Sequence, residues 1–256
     1  MSNTEKISLE KILAELSVVI TRRDYAASRD MLIRVLCDIR NELSSRRALY
    51  EESELNQIYA TGIFLRGILD YVNIRKIVSN SNWTQNHRLI DLVWTRMWDC
   101  KDRIESYPNV LAGSFIEQVR KFIDFLFLFF RENFGEGVYM SPEIKVRRAE
   151  CTICNDNIKK CSHIPGRLYG GQMCRQKFVD MEALGASIVS HPEDYRCRIW
   201  PWNFNKKEST FTVPVLTMFL IDDFIQDERW PEPDIQWPEG LRPASSEESA
   251  NEGPIP

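Results

Sequence analysis

Histidine is scarce in this chain, and the chemistry that needs it is limited accordingly: 256 residues contain three, His87, His163 and His191. They form no His-Glu-x-x-His pattern, which excludes the helical zinc site of a metalloprotease. No glycine-rich loop of phosphate-cradling spacing is present either, so a nucleotide-binding fold has no sequence support. Long apolar runs are missing. The strongest, Phe122 to Phe130, is interrupted by Asp124 and falls far short of the roughly 20 residues a membrane-spanning helix needs. The N-terminus, MSNTEKISLEKI, lacks the basic and then apolar regions of a secretory signal, so a cytoplasmic protein is expected. Seven cysteines are an odd number, and without an export signal they argue against a disulfide framework. There is no internal repeat of useful length.

What is present reads as an ordinary globular chain, with 43% hydrophobic and 27% charged residues, long enough for one large domain or two modest ones. Apolar residues recur at the helical period in five stretches. Ser8 can cap the first, which places Leu9, Ile12, Leu13, Leu16, Val19 and Ile20 on one face. Asp24 can cap a second, carrying Met31, Leu32, Val35, Leu36, Ile39 and Leu43 to about Arg47. A third runs from about Glu52 to Val78, where Gly62 and Gly67 either allow close helix contact or weaken the helix. After the turn Ser79–Asn82, a fourth begins near Thr84 and ends at Pro108 and Asn109. The fifth, Ser114 to Asn133, is rich in phenylalanine on nearly every side and is expected to be the central helix. Cys37 and Cys100, on apolar helical stretches, read as buried free thiols, and Cys197 as structural.

Gly135-Glu136-Gly137 is the natural break. The expectation is an α+β protein: a helical bundle over 1–138, a small zinc-stabilised module over 139–230, and a Pro/acid-rich, disordered tail over 231–256. Within the module, Pro142 and the alternation through Ile144 and Val146 predict a short extended segment. Phe178-Val179, Ile188-Val189 and Phe211 to Val215 read as short strands, and Leu216 to Gln226 as a closing helix.

The most informative stretch is Cys151 to Cys174. It holds Cys151, Cys154, Cys161, His163 and Cys174, five possible ligands where a closed tetrahedral site needs four. A Cys-x-x-Cys pair can clasp a borderline-soft ion such as zinc from a tight turn. Cys151, Cys154 and His163 are the firmest ligands, and the fourth is Cys161 or Cys174. The turn-forming Asn155-Asp156-Asn157 argues against a thioredoxin-like redox pair, which opens a helix. No general base accompanies the cysteines, so a structural ion is favoured over a catalytic one. Gly166, Gly170 and Gly171 suit a tight path around the ion, and Tyr169 is placed to pack over it.

Charge adds a second reading. From Lys145 to Lys177, eight bases (Lys145, Arg147, Arg148, Lys159, Lys160, Arg167, Arg175 and Lys177) face two acids, Glu150 and Asp156. Such an excess suits nucleic-acid phosphates, and equally suits the negative charge of a metal–thiolate cluster. From Asp222 onward ten acids face two bases, so the tail opposes this segment in sign. Trp200, Trp202, Phe204, Trp230 and Trp237 are either interface anchors of a protein-binding adaptor or cover for the module's own core.

The string Cys-x2-Cys-x6-Cys-x-His-Ile-Pro-Gly-x2-Tyr-x-Gly-x2-Cys resembles a small zinc-binding motif of bacterial and bacteriophage-associated proteins. Ile188-Val189, Pro192 and Arg198-Ile199 resemble the strands that follow it there. The likeness covers about residues 151–199. It implies a zinc fold and a mobile-element or antiphage setting, and is nearly silent about activity. Ala186-Ser187-Ile188-Val189 also faintly resembles the serine-bearing strand of phage prohead proteases, which implies a histidine base drawn from His87, His163 or His191. A non-enzymatic interaction protein is the leading expectation, and nucleic-acid binding the alternative.

Overall fold

The structure, a computed structural model, describes residues 9–45, 47–106, 113–205 and 210–211. The expected cap Ser8, the stop at Pro108 and Asn109, most of the strand 211–215, the helix 216–226, Trp230, Trp237 and the tail lie outside the described residues. Five helices come first: α1 (Leu9–Thr21), α2 (Tyr25–Ser45), α3 (Glu52–Val78), α4 (His87–Glu105) and α5 (Ser114–Phe134). An antiparallel β region follows, so the α+β expectation holds. Its strands are β1 (Val138–Cys151), β2 (Leu168–Tyr169), β3 (Gln172–Met173), β4 (Gln176–Val189), β5 (Arg198–Ile199), β6 (Phe204–Asn205) and β7 (Thr210–Phe211).

Local signals start the helices much as expected. Asp24 caps α2, its Oδ1 accepting the Ala27 N–H at 3.0 Å. The fourth helix starts slightly later than expected, because Trp83–Gln85 forms a 3-10 turn and Asn86 caps α4 by accepting the Arg88 N–H at 3.0 Å.

The central helix is α3, not α5. Residues are buried all around α3, including Ile63, Phe64, Leu65, Ile68 and Leu69, whereas α5 buries one face, Phe115, Ile116, Val119, Ile123, Leu126 and Phe130. Phe125 and Leu128 on α5 remain exposed. The physical reason is size as much as polarity. A helix packed on several sides needs small residues where neighbours approach, and at Gly67 an added Cβ would meet Arg103 Cβ and Ile104 Cγ1 at 3.1 Å. The rings of α5 instead fill one side, where Phe130 contacts Trp83, Trp94 and Trp200.

Charge inside the bundle is paired. Asp70, fully buried on α3, accepts from Arg96 at 3.0 Å and from Arg103, with Arg66 one turn away on its own helix. Burial pushes its carboxyl up, but Arg103, Arg96 and Arg66 outweigh that and hold it below the ordinary value.

The β region is dominated by one long ribbon. β1 and β4, 14 residues each, pair antiparallel from Tyr139↔Val189 to Cys151↔Gln176. At roughly 3.3 Å per residue the ribbon is about 45 Å long. The expectation of short strands is corrected here. Register shifts between Glu143 and Ile144, between Val146 and Arg148, and between Arg148 and Ala149 mark bulges, which insert unpaired residues and break the period-two pattern by which a strand is read. One interrupted strand thus looked like two.

Both ends of the ribbon are tied to the helices. At the start of β1, Tyr139 and the following segment's Trp200 are part of the helical core. Arg198 lies over the rings of Trp94 and Trp200, 4.8 and 4.4 Å from their centroids, and donates to the carbonyls of Phe134 and Gly135 at 2.9 Å. Arg196 pairs with Asp99 at 2.8 Å and with Asp102 on α4, and with its neighbour Asp194. At the other end, the loop beyond Cys151 docks on α3, where Asn56 Oδ1 accepts the Gly171 N–H at 2.8 Å. Between these anchors β4 has no buried residue.

Candidate metal centre

The ligand candidates sit where the ribbon ends and chain direction must reverse. Cys151 is the last residue of β1, and the turn after it closes when the Asn155 N–H donates to the Cys151 carbonyl at 2.8 Å. Asn155 adopts a left-handed backbone, φ 60°, which asparagine tolerates better than most residues. The Asp156 carbonyl then accepts the Cys151 N–H at 2.8 Å. Across the loop, Thr152 Oγ1 accepts the Arg175 N–H at 2.9 Å, and the Gly166 N–H reaches the Cys174 carbonyl at 2.8 Å. A small hydrogen-bonded knuckle results, with little apolar interior.

Within it, the donor atoms of Cys151, Cys154, Cys161 and His163 all lie within 4.8 Å of one another. Cys151 Sγ is 3.7 Å from His163 Nδ1. A tetrahedron with metal–sulfur bonds near 2.3 Å has donor–donor edges of about 3.8 Å, so these residues can hold one metal ion. Cys174 stands apart from the group of four, yet its Sγ is 3.6 Å from that of Cys151. Cys151 and Cys174 are buried, while Cys154, Cys161 and His163 are half-buried.

Backbone N–H groups favour charge on sulfur here. Burial pushes the Cys151 thiol up, but the N–H groups of Cys154 and Ile153 and the thiols of Cys174 and Cys154 overcome it, bringing its pKa to about 6. Burial and the neighbouring Cys151 push the Cys174 thiol the other way, to about 12. Cys154 receives the Asp156 N–H, yet burial and the adjoining Cys151 and Cys161 leave its thiol raised. One thiolate is thereby favoured and its neighbours resist ionising beside it, which a divalent cation would relieve.

The Tyr169 ring meets that of His163 edge-on at 4.7 Å, and its hydroxyl accepts the Ile164 N–H at 3.0 Å, so it braces the histidine loop. Gly171 earns its place twice: its φ is +75°, and a Cβ there would meet Leu43 Cδ2 at 3.0 Å and Leu55 Cβ at 3.1 Å.

The eight basic candidates separate into two groups. Lys145, Arg147, Arg148 and Lys177 lie on the ribbon among Glu143, Glu150, Asp180 and Glu182, and Arg147 pairs with Glu182 and Arg148 with Glu150. Lys159, Lys160, Arg167 and Arg175 lie on the knuckle with Asp156 as the acid among them. The continuous basic run in the chain therefore becomes a balanced ribbon and a smaller basic tip. Ser187 is exposed opposite Ser141 on β1, and among the described residues no hydrogen bond joins it to a histidine. His87 instead stacks on Trp202, with 4.2 Å between centroids. Trp200 is buried against Trp94, Phe130 and Phe134 of the helices and Trp202 is half-buried on its ring, so these two cover the helical core and not, as expected, a core of the module's own. Of the free thiols, Cys100 and Cys197 are buried but Cys37 is exposed, correcting the expectation for that residue: its position on α2 falls just beyond the buried Leu36.

The sequence assigns no anchoring role to Asn56, Arg196 or Arg198, the last entering only as a strand residue. No motif marks a helical asparagine that accepts from a loop over a hundred positions away, and none marks the two arginines that flank Cys197.

Comparison with protein-family models, with curated proteins and with solved structures returned no match. Among the described residues no helix is long and apolar enough to cross a membrane.

Proposed function

We propose that this chain is a non-enzymatic interaction protein in which a structural zinc ion holds the far end of the β1–β4 ribbon against the bundle, and the ribbon meets the partner. The observation that carries this reading is the ribbon itself: both ends are anchored on helices, while residues between them stand exposed. A surface so held is preorganised for binding, which lowers the ordering cost of association.

Zinc suits the donor set because three thiolates and one imidazole satisfy a borderline-soft, tetrahedral ion without a coordination position left for water. Cys151, Cys154, Cys161 and His163 are the ligands in this reading, and Cys174 is a neighbouring thiol. Such a site works while its thiols stay reduced, which fits a cytoplasmic location. The motif resemblance adds a bacterial or phage-associated setting. A nucleic-acid partner is the second reading, supported by Lys159, Lys160, Arg167 and Arg175 on the knuckle tip.

Metal analysis of protein purified under reducing conditions tests the ligand assignment. One zinc per chain is expected, retained in Cys174→Ala and lost in Cys161→Ala. The reverse pattern would replace Cys161 by Cys174, and a metal-free, fully folded wild type would remove the proposal. DNA and RNA binding at two salt concentrations decides the second reading, since four phosphate contacts predict affinity falling as about the third to fourth power of salt.

A further inference from the structure

The knuckle gathers five donors where a tetrahedral ion takes four. Cys174 lies 23 positions from Cys151 in the chain, yet its Sγ is 3.6 Å from that of Cys151. The ribbon brings the two together. Cys151 closes β1 opposite Gln176, the first residue of β4, and one step further the Thr152 N–H donates to the Arg175 carbonyl at 3.1 Å. Cys174 is held in turn by its own N–H, which donates to the Arg167 carbonyl, and by its carbonyl, which accepts the Gly166 N–H, each at 2.8 Å. Both backbones are thus pinned with the sulfurs in reach of each other. A disulfide sets its sulfurs about 2.05 Å apart, so bonding asks each to move by less than about 1 Å. Both side chains are buried, whereas Cys154, Cys161 and His163 are half-buried.

We propose that Cys151 and Cys174 are a modification site, forming a reversible disulfide that competes with the zinc ion for the Cys151 sulfur. The proposal rests on the zinc reading of this site. A metal ligand is a thiolate, and a sulfur bonded in a disulfide no longer carries that charge, so the ion, left with three ligands, departs. Hydrogen peroxide supplies the oxidation. The Cys151 sulfur attacks one peroxide oxygen, the O–O bond breaks, and a sulfenic acid and water form. The Cys174 sulfur then attacks that of Cys151, the S–O bond breaks, and the departing hydroxide takes the Cys174 proton as a second water. Two thiols and one peroxide give one disulfide and two waters; sulfur is oxidised and peroxide oxygen reduced. Cys154 and Cys161 have their sulfurs committed to the ion, which leaves Cys174 as the thiol free to resolve the sulfenic acid. A dithiol such as dithiothreitol reverses the bond by exchange through a mixed disulfide. Burial restricts peroxide to moments when the knuckle opens, so the pair reacts more slowly than the exposed Cys37.

The test treats the zinc-loaded full chain carrying Cys37→Ser with hydrogen peroxide. A chromogenic chelator follows zinc release, and mass spectrometry of a non-reduced tryptic digest maps the cysteines. The expected product joins the peptide Ala149–Lys159 to Leu168–Arg175, with fragmentation placing the bond at Cys151. One zinc is released per bond, and dithiothreitol with added zinc restores the starting state. Adding Cys174→Ser should leave zinc content unchanged before oxidation. After peroxide, that variant should regain about a tenth or less of its zinc on reduction, because an unresolved sulfenic acid goes on to a sulfinic acid that dithiothreitol does not reduce. A variant that recovers like its parent, or a bond that maps to Cys151 and Cys154, overturns the inference and leaves the zinc reading standing. Zinc retained under peroxide does the same. A Cys174→Ser protein without zinc before oxidation makes Cys174 a ligand and overturns its role as the free thiol. A parent chain that never held zinc overturns the metal reading and the competition with it.

Discussion

Helix α3 and the β1–β4 ribbon are the two longest pieces of regular structure, and they handle apolar side chains in opposite ways. Of the 27 residues of α3, 16 are buried. Of the 28 in the ribbon strands, three are: Tyr139, Ala149 and Cys151. The helix is therefore stabilised along its whole length by burial, at about 25 cal/mol per Å² of apolar surface. The ribbon has its strand pairing and its two ends. Stability in one region is distributed; in the other it is concentrated at a core junction and at the cysteine knuckle, where four donor atoms could hold an ion.

The largest expected effect separates the two regions directly. A zinc chelator should unfold Thr152 to Cys174 and release the ribbon tip from Asn56, since ion binding at such sites contributes on the order of 10 kcal/mol. Amide exchange should accelerate through the knuckle and the adjoining ends of β1 and β4, while α3 and α4 keep their protection. If helix protection falls in parallel, the two regions form one cooperative unit and the contrast fails.

Next in size is Asp70→Ala, which leaves Arg103 and Arg66 buried without their shared carboxylate and should cost about 3–5 kcal/mol in urea unfolding. Zinc content should not change. The sign with pH follows from the lowered folded-state value: the carboxylate contributes fully above its ordinary value of 3.8 and loses that contribution as pH falls through the lower one. The gap between wild type and Asp70→Ala should therefore be constant from neutral pH down to about pH 5, and narrow only in stronger acid.

Smaller again is Arg198→Ala, which removes two donations to the Phe134 and Gly135 carbonyls and a cation held over two tryptophans. About 2–3 kcal/mol is expected. Exchange should rise at the base of β1 and at β5, with the knuckle unaffected. This sharpens the contrast by showing whether the two anchors of the ribbon act independently.

The helices were legible because their signals are local. Asp24 as a cap, the periodic apolar residues of α1 and α4, and the break at Gly135 each depend on a few neighbours in the chain. The clustering of Cys151, Cys154, Cys161 and His163 is legible for the same reason, since spacing constrains which donors can come together. The choice between Cys161 and Cys174 was not, because both are compatible with the spacing and differ only in how the loop folds back. The ribbon's length is not legible, because bulges at Val179 and Leu184 put apolar residues out of phase with strand alternation.

Taken alone, then, the amino-acid order determined a helical half, a cysteine-rich knuckle and the break between them, because each is written in contacts within a few residues. Only the tertiary structure decided that α3 is central, that Asn56 receives the knuckle, that half the basic run is neutralised by facing acids, and that the ribbon between its anchors is exposed. Each of those outcomes depends on which distant residues come together. Pairing across a strand, packing around a glycine and compensation of a charge are properties of neighbours in space, which the order of residues specifies only through the complete fold.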